Sequence, residues 1–174
     1  MHCSFNLLLP LLLLAGHVTA QQPGLLIYGK VDDMITATEL KGLRVSVQEV
    51  GADTSTRIYA PITAGRWTYE FTLSEQKHYE VRAEAPGKIS RYIWIDARGV
   101  PQKSWSDGHG ICLDIALLDS IPGHDLSAFD APFGIARFHR GYFRWDMAKT
   151  KVMREHTEAL LKKTGQKMAT RPRQ

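Results

Sequence analysis

Short runs of alternating apolar and polar residues fill the chain from Leu40 to Ile95. A period of two is typical of β-strands that bury one face and expose the other. Turn signals such as Pro86-Gly87 separate these runs. We therefore predict an all-β fold, an antiparallel β-sandwich of about seven strands, followed by a C-terminal α-helix. The clearest predicted buried face consists of Trp67, Tyr69, Phe71 and Leu73.

Changes in this pattern divide the chain into four segments. Residues 1–20 are predicted to be a signal peptide, and residues 21–118 the β-sandwich domain. Residues 119–146 are predicted to be an irregular extension packing on the sandwich, and residues 147–174 a basic helix with a disordered tail. The helix has only a narrow apolar stripe, so we expect it to pack along one edge or to lie loose. The predicted stripe is Val152, His156, Ala159 and Leu160.

The amino-terminal segment has the features of a secretory signal peptide. Its apolar run from Leu7 to Ala15 is shorter than the roughly 20 residues that a transmembrane helix needs. Residues 18–20, Val-Thr-Ala, form a small-residue cleavage site, and polar Gln21 follows. We predict an exported protein, periplasmic or secreted after cleavage, whose mature chain begins at Gln21. The alternative is a buried N-terminal segment of the core.

Cleavage of this segment removes Cys3 and leaves Cys112 as the single cysteine of the mature chain. An exported protein with one thiol has no internal disulfide, so its stability must come from its core. Because Cys112 lies in an apolar run that is typical of a strand, we predict a buried and unreactive thiol.

The positive charge is concentrated at the C-terminus. From Asp146 onward the chain has eight Lys and Arg residues against three acidic ones, whereas residues 21–145 have fourteen against fifteen. A basic tail can contact acidic lipid head groups, an acidic partner or nucleic acid. We predict peripheral contact with an acidic surface through this tail, and no nucleic acid, because the protein is expected to be exported. The alternative is a solvated helix with a frayed end.

Four segments of the chain resemble the carboxypeptidase-regulatory-like domain, which is a transthyretin-like (prealbumin-like) β-sandwich. The resemblance implies a sandwich of that type for this chain. The turn at Gly87-Lys88 departs from the family pattern, because it lacks the usual aromatic residue. The four segments are residues 28–31 (Tyr-Gly-Lys-Val), residues 40–47, Gly65 with the aromatic strand that follows it, and residues 79–88.

Later segments resemble a set of exported, uncharacterised proteins of Bacteroidetes-type bacteria. The matching stretches are Ile95–Pro101, Pro132–Ala136 and Phe143–Asp146. The two resemblances together cover nearly the whole mature chain. They imply an exported, non-catalytic module, and they supply no catalytic residue and no cofactor.

Asp107, His109 and Cys112 are the closest group of potential metal ligands in the sequence. With Asp114 they could offer oxygen, nitrogen and sulfur to a zinc ion, but the second ligand pair of a structural zinc site is missing. We therefore predict no metal site and no cofactor. The alternative function is a small exported hydrolase or metal-dependent enzyme with these residues at its centre.

Motifs of the familiar hydrolase classes are absent from the sequence. It contains neither Gly-x-Ser-x-Gly nor His-Glu-x-x-His. Hydroxyisourate hydrolases resemble the transthyretin-like sandwich and end in Tyr-Arg-Gly-Ser, whereas this chain ends in Thr-Arg-Pro-Arg-Gln. We therefore predict a protein that is not an enzyme.

The remaining candidates are residues that could contact a partner. Trp105 lies in the long polar stretch that ends near His109, and Arg137 and Arg140 lie in a segment of mixed basic and aromatic residues. A loop tryptophan buries much area on binding at little cost in entropy. The alternative is that Trp105 folds back to cover an open end of the sandwich. We predict an interaction module that binds an envelope or extracellular protein, or a glycan, through these residues and the tail.

Overall fold

The computed structural model describes residues 24–63 and 65–168. The predicted signal peptide, its cleavage site and residues 169–174 of the predicted tail lie outside the described residues.

Ten strands, numbered in chain order, form two sheets within the described residues. The first sheet contains β1 (Leu25–Asp33), β4 (Thr68–Leu73), β7 (His109–Cys112) and β8 (Ile115–Leu117). The second sheet contains β2 (Arg44–Glu49), β3 (Ile58–Tyr59), β5 (His78–Glu84), β6 (Arg91–Asp96), β9 (Gly134–His139) and β10 (Tyr142–Trp145). Two helices complete the fold, α1 (Gln102–Ser106) and α2 (Met147–Thr164).

In the first sheet, β1 lies between β4 and β7 and also pairs with β8. The order of the second sheet is β10-β9-β6-β5-β2-β3. The predicted all-β sandwich with a C-terminal helix is therefore confirmed. It is not purely antiparallel, because β1 pairs in parallel with β7 and β8, and β6 pairs in parallel with β9. The strand number exceeds the predicted seven because the sequence did not predict β9 and β10, and because the run near Cys112 forms two short strands, β7 and β8, where one was expected.

The core lies between the two sheets, where alternate residues of each strand face inward. The predicted buried face of β4 is correct for Tyr69, Phe71 and Leu73, which are 2%, 7% and 6% exposed. Trp67 departs from it, because its positive φ of 56° places it just before β4, out of the strand's alternation. Inward-facing residues of the other strands are Leu25, Ile27, Val45, Val47, Val81, Ala83, Ile93, Ile95 and Ile111.

Residues 119–146 are not an irregular extension throughout, as the sequence predicted. A 3₁₀ helix at Ser127–Asp130 is followed by β9 and β10, which form an antiparallel hairpin at one edge of the second sheet. The hairpin does alternate, with Arg137 and Arg144 outward and aromatic rings inward, but its strands have only six and four residues, too few for the alternation to stand out in the sequence. The sandwich therefore extends to Trp145.

Helix α2 packs against β9 and against the 3₁₀ helix. The side chain of Asp146 caps its first turn by accepting a hydrogen bond from Lys149 N at 3.2 Å, and Gly165 ends it with a φ of 68°. Of the predicted apolar stripe only Leu160 is buried, whereas Val152 is 46% exposed and His156 and Ala159 are also exposed. The buried face is Met153, Thr157, Leu160 and Leu161.

These helix residues join a second apolar cluster with Met34, Ile89, Leu118 and Phe129. The helix therefore contributes to the core and does not lie loose. Across the described part of the chain, none of the helices combines the length and the apolar character that crossing a bilayer requires.

Candidate functional site

Trp105, a predicted contact residue, lies in the interior. It belongs to α1 and is 4% exposed. Its indole Nε1 donates a hydrogen bond to the carbonyl oxygen of Ser74 at 3.2 Å, and its own carbonyl accepts one from Gly24 N at 3.0 Å. The side chain thus covers one end of the sandwich, as the alternative interpretation holds, and a partner cannot reach it.

His109, the second predicted contact residue, is half-buried at the start of β7. Its ring packs edge-on against Phe138 and Phe143, with ring centres 5.3 and 5.7 Å away, and its Nε2 lies 3.1 Å from Ser104 Oγ. The histidine therefore joins the edges of the two sheets, and its ring has few free contacts to offer a ligand.

The alternative enzyme centre of Asp107, His109 and Cys112 is not assembled. Positions 109 and 112 are three apart on one strand, so their side chains point to opposite faces of the first sheet. His109 faces the aromatic rings, whereas Cys112 is exposed on the outer face. Among the described residues, no three His, Cys, Asp or Glu side chains lie close enough to hold a metal ion.

The prediction of a buried thiol at Cys112 is wrong, because the side chain is exposed. The apolar run around it alternates inward residues, Ile111 and Leu113, with outward ones. Partial burial and the negative charge of Asp114 raise the pKa of the Cys112 thiol. The thiol is therefore protonated at neutral pH and a poor nucleophile.

Arg137 and Arg140, the remaining predicted contact residues, both lie on the β9–β10 hairpin and are exposed. Arg137 points from the outer face of the second sheet, and Arg140 occupies the turn with a φ of 50°. The structure thus brings these two together on one surface and separates them from Trp105.

A groove on the outer face of the first sheet combines features that the sequence analysis did not single out. Its volume is about 460 Å³, and it runs across β4, β1 and β7. Most of its lining residues are strand positions, so their side chains stand on a rigid framework. We call it the Tyr28 groove, and its polar and aromatic lining is Tyr28, Lys30, Thr63, Thr68, Tyr69, Glu70, Cys112 and Asp114.

Tyr28 is the aromatic residue at the middle of this groove. Its side chain is 42% exposed, which is unusual for a large ring on a central strand. In the sheet register, Glu70 of β4 and Cys112 of β7 lie directly beside it on either side. The ring leans over Gly110, where a Cβ atom would lie 3.6 Å from Cε1 of Tyr28. An exposed ring is therefore flanked by a carboxylate on a flat sheet face.

Lys30, two residues after Tyr28 on β1, also lines the groove. Its ammonium lies 4.8 Å from the ring centre of Trp67 and 4.0 Å from a carboxylate oxygen of Asp32. Its backbone N–H donates to Asp114 Oδ1 at 2.9 Å. The ammonium and the Asp114 carboxylate are thus held in place before any ligand arrives, which reduces the entropy cost of binding.

A close approach of two segments of the chain shapes the floor of the groove. Between β7 and β8 the chain passes so near to β1 that a Cβ at Gly29 would lie 2.1 Å from the carbonyl oxygen of Leu113. That carbonyl accepts a hydrogen bond from Tyr69 Oη at 2.6 Å, and Leu113 N donates to Tyr28 O at 2.8 Å. Burial, with the charges of Asp114 and Cys112, raises the pKa of Tyr69, so its hydroxyl remains a donor.

Comparisons with known proteins do not assign this chain to a family. No family model and no curated protein matches this sequence. Among solved structures, one similar chain is the dioxygenase domain of a dioxygenase and carbohydrate-binding protein fusion from Streptomyces sp. SirexAA-E. The two share 14% identity over 57% of this chain and 84% of that one, with a TM-score of 0.33.

A second similar structure comes from Bacteroides uniformis ATCC 8492 and is proposed to bind carbohydrate. It shares 19% identity over 56% of this chain and 42% of its own length, with a TM-score of 0.34. At such low values neither likeness tells what this chain binds. Membership of the carboxypeptidase-regulatory-like family stays a prediction.

Proposed function

We propose that this protein is an exported, non-catalytic binding module that holds a neutral glycan in the Tyr28 groove. The observation that carries the proposal is the exposed Tyr28 ring, which lies directly beside the Glu70 carboxylate on the outer face of the first sheet. A sugar presents apolar C–H faces together with hydroxyl groups, so it requires both a flat ring and hydrogen-bonding groups from its site.

The polar groups of the groove suit hydroxyl groups well. Glu70 and Asp114 accept hydrogen bonds, and the Lys30 ammonium donates them, so both roles of a hydroxyl find a partner. Because the groove contains charges of both signs, it does not select for a strongly charged ligand. Its width across three strands is about 10 Å, from the usual spacing between strands, and this is enough for a sugar ring to lie on the face.

The binding role, rather than a catalytic one, is supported by the state of the groove's nucleophile. Cys112 has a raised thiol pKa, and no histidine lines the groove to accept its proton. Export rests on the predicted signal peptide, and it is part of the proposal.

The proposal is tested by measuring binding of the purified protein to soluble neutral polysaccharides, namely β-glucan, xylan, mannan and starch. We expect retention by at least one, and a loss of about 10-fold in affinity for Tyr28→Ala, as for the truncation of an aromatic anchor. Tyr28→Phe keeps the ring and is expected to keep most of the affinity.

Tyr59→Ala serves as the matched control, because Tyr59 is 50% exposed on β3 of the other sheet. Its affinity is expected to equal that of the unaltered protein. Equal affinities of Tyr28→Ala and Tyr59→Ala, or no retention by any of the four polysaccharides, would rule the groove out as a site for neutral glycans.

A further inference from the structure

The outer face of the second sheet carries unneutralised positive charge on the β9–β10 hairpin. Arg137 and Arg144 are directly opposite each other in the antiparallel register, so both project from the same face. Both side chains are exposed. Like charges directly opposite in a sheet destabilise it, so this pair requires an explanation.

Neighbouring carboxylates do not neutralise the pair. Asp96 lies beside Arg137 in the register, but Arg98 already holds it with two hydrogen bonds, from Nε to Oδ1 at 2.8 Å and from Nη2 to Oδ2 at 2.9 Å. Within the described part of the chain, no ion pair involves Arg137 or Arg144. Both guanidinium groups therefore lack an ion-pair partner within the described residues and can bind an external anion.

One further arginine adds to the positive charge of this hairpin. Arg140 lies at the tip of the hairpin. On β5, burial lowers the pKa of His78, and the charges of Arg98 and Arg137 lower it further, against the opposing effect of Asp96. Because its pKa is lowered from 6.5, His78 is mostly neutral at neutral pH and adds no positive charge to the row.

We propose that the Arg137–Arg144 pair, with Arg140, binds an acidic polysaccharide through its carboxylate groups. Arginine presents a planar fork of donors that matches a carboxylate, and two forks side by side suit a polymer with repeated carboxylates. The Arg144 guanidinium lies 4.7 Å from the ring centre of Tyr142, which is 47% exposed and offers a flat surface to a sugar ring.

An anionic bilayer fits this surface less well. Peripheral membrane binding combines basic residues with several apolar side chains that enter the bilayer. Of the large apolar residues on β9 and β10, only Tyr142 is strongly exposed, because Phe138 and Phe143 pack against His109 between the sheets. A flat, basic face with one exposed ring is suited to a polymer that lies across it.

The test measures binding to polygalacturonate by calorimetry at low ionic strength. The Arg137→Ala/Arg144→Ala variant is expected to lose affinity by on the order of 10-fold or more, since both forks are removed. The control Lys41→Ala/Lys103→Ala removes the same charge from two exposed lysines elsewhere and is expected to bind normally. Arg137→Lys/Arg144→Lys keeps the charge without the forks and is expected to bind with intermediate affinity.

Arg144→Glu distinguishes lost binding from lost folding. It replaces a repulsive cross-strand pair with an attractive one, so the melting temperature is expected to rise or to stay unchanged while binding disappears. Tyr28→Ala is expected to bind polygalacturonate normally, because the Tyr28 groove lies on the other sheet and belongs to a separate proposal.

Two results would overturn this inference. One is unchanged polygalacturonate binding by the double alanine variant. The other is tighter binding to vesicles of anionic phospholipid, or to polyglutamate, than to polygalacturonate, which would assign the surface to a membrane or to an acidic protein.

Discussion

Arg91 shows how one residue links the helix to the sandwich. Its side chain is 4% exposed, and its Nη2 donates a hydrogen bond to Thr157 Oγ1 at 2.8 Å. The guanidinium lies 4.4 Å from the ring centre of Phe133, whereas its Nε has no hydrogen-bond partner. Burial lowers the pKa of Arg91 to about 10, so the group is still charged at neutral pH. A buried charge of this kind adds little net stability, and we expect its main effect to be on where α2 docks.

The first prediction separates these two effects. Arg91→Met removes the buried charge and keeps an apolar side chain of similar length, so we expect a neutral or stabilising change in the free energy of unfolding. Thr157→Val removes the oxygen that accepts the arginine's hydrogen bond, so we expect a loss of about 1–3 kcal/mol. Urea unfolding of both variants measures this, and a strongly destabilised Arg91→Met would contradict it.

Asp33 provides the second prediction, which concerns pH. The Nζ of Lys88 bonds both to Asp33 Oδ2 and, at 2.5 Å, to Asp119 Oδ1. Burial alone would raise the pKa of Asp33, but the hydrogen bonds from Lys88 and from the N–H groups of Thr36 and Ile35 hold it below 3.8. The unfolded chain therefore takes up the proton first, and the stability that Asp33 contributes is present above pH 3.8 and lost at lower pH.

We expect Asp33→Asn to lower the free energy of unfolding at pH 7 by about 1–3 kcal/mol, since Lys88 loses one partner in a partly buried position. The difference from the unaltered protein is expected to shrink as the pH falls towards 3. Denaturant titrations at both pH values test this. A difference that stays constant with pH would show that the Asp33 carboxylate does not contribute through its charge.

Among the elements, β4 and α2 show what sequence alone could and could not predict. The predicted buried face of β4 is correct for Tyr69, Phe71 and Leu73, because strict alternation of large residues leaves only one possible register. The α2 stripe is displaced because the buried face includes polar Thr157, whose hydroxyl donates to Met153 O at 2.9 Å and accepts from Arg91. No periodicity argument assigns a threonine to the core without knowledge of that arginine.

The third prediction tests the position of α2. Leu161 is 4% exposed in the second cluster, whereas Val152 is 46% exposed. We expect Leu161→Ala to lower the free energy of unfolding by about 2–5 kcal/mol, as core truncations do, and Val152→Ala by less than about 0.5 kcal/mol. Thermal or chemical unfolding of the pair measures this. The opposite ranking would restore the stripe that the sequence predicted.

At the scale of the whole molecule, the sandwich separates two surfaces of different chemistry. The first sheet presents the Tyr28 groove, and the second presents the arginine pair of the β9–β10 hairpin. Arg137 could be predicted as a contact residue because basic and aromatic residues are adjacent in the chain there. The groove could not be predicted, because Tyr28, Glu70 and Cys112 are far apart in sequence and meet only through the strand register.

Amide chemical shifts measured during a titration show whether a glycan occupies the Tyr28 groove. An oligosaccharide derived from whichever neutral polysaccharide retains the protein is added to isotope-labelled protein. We predict that the largest shifts occur at Tyr28, Lys30, Glu70 and Asp114, with small shifts at Tyr59 and Arg144. Large shifts confined to the second sheet, with the groove unaffected, would contradict the account.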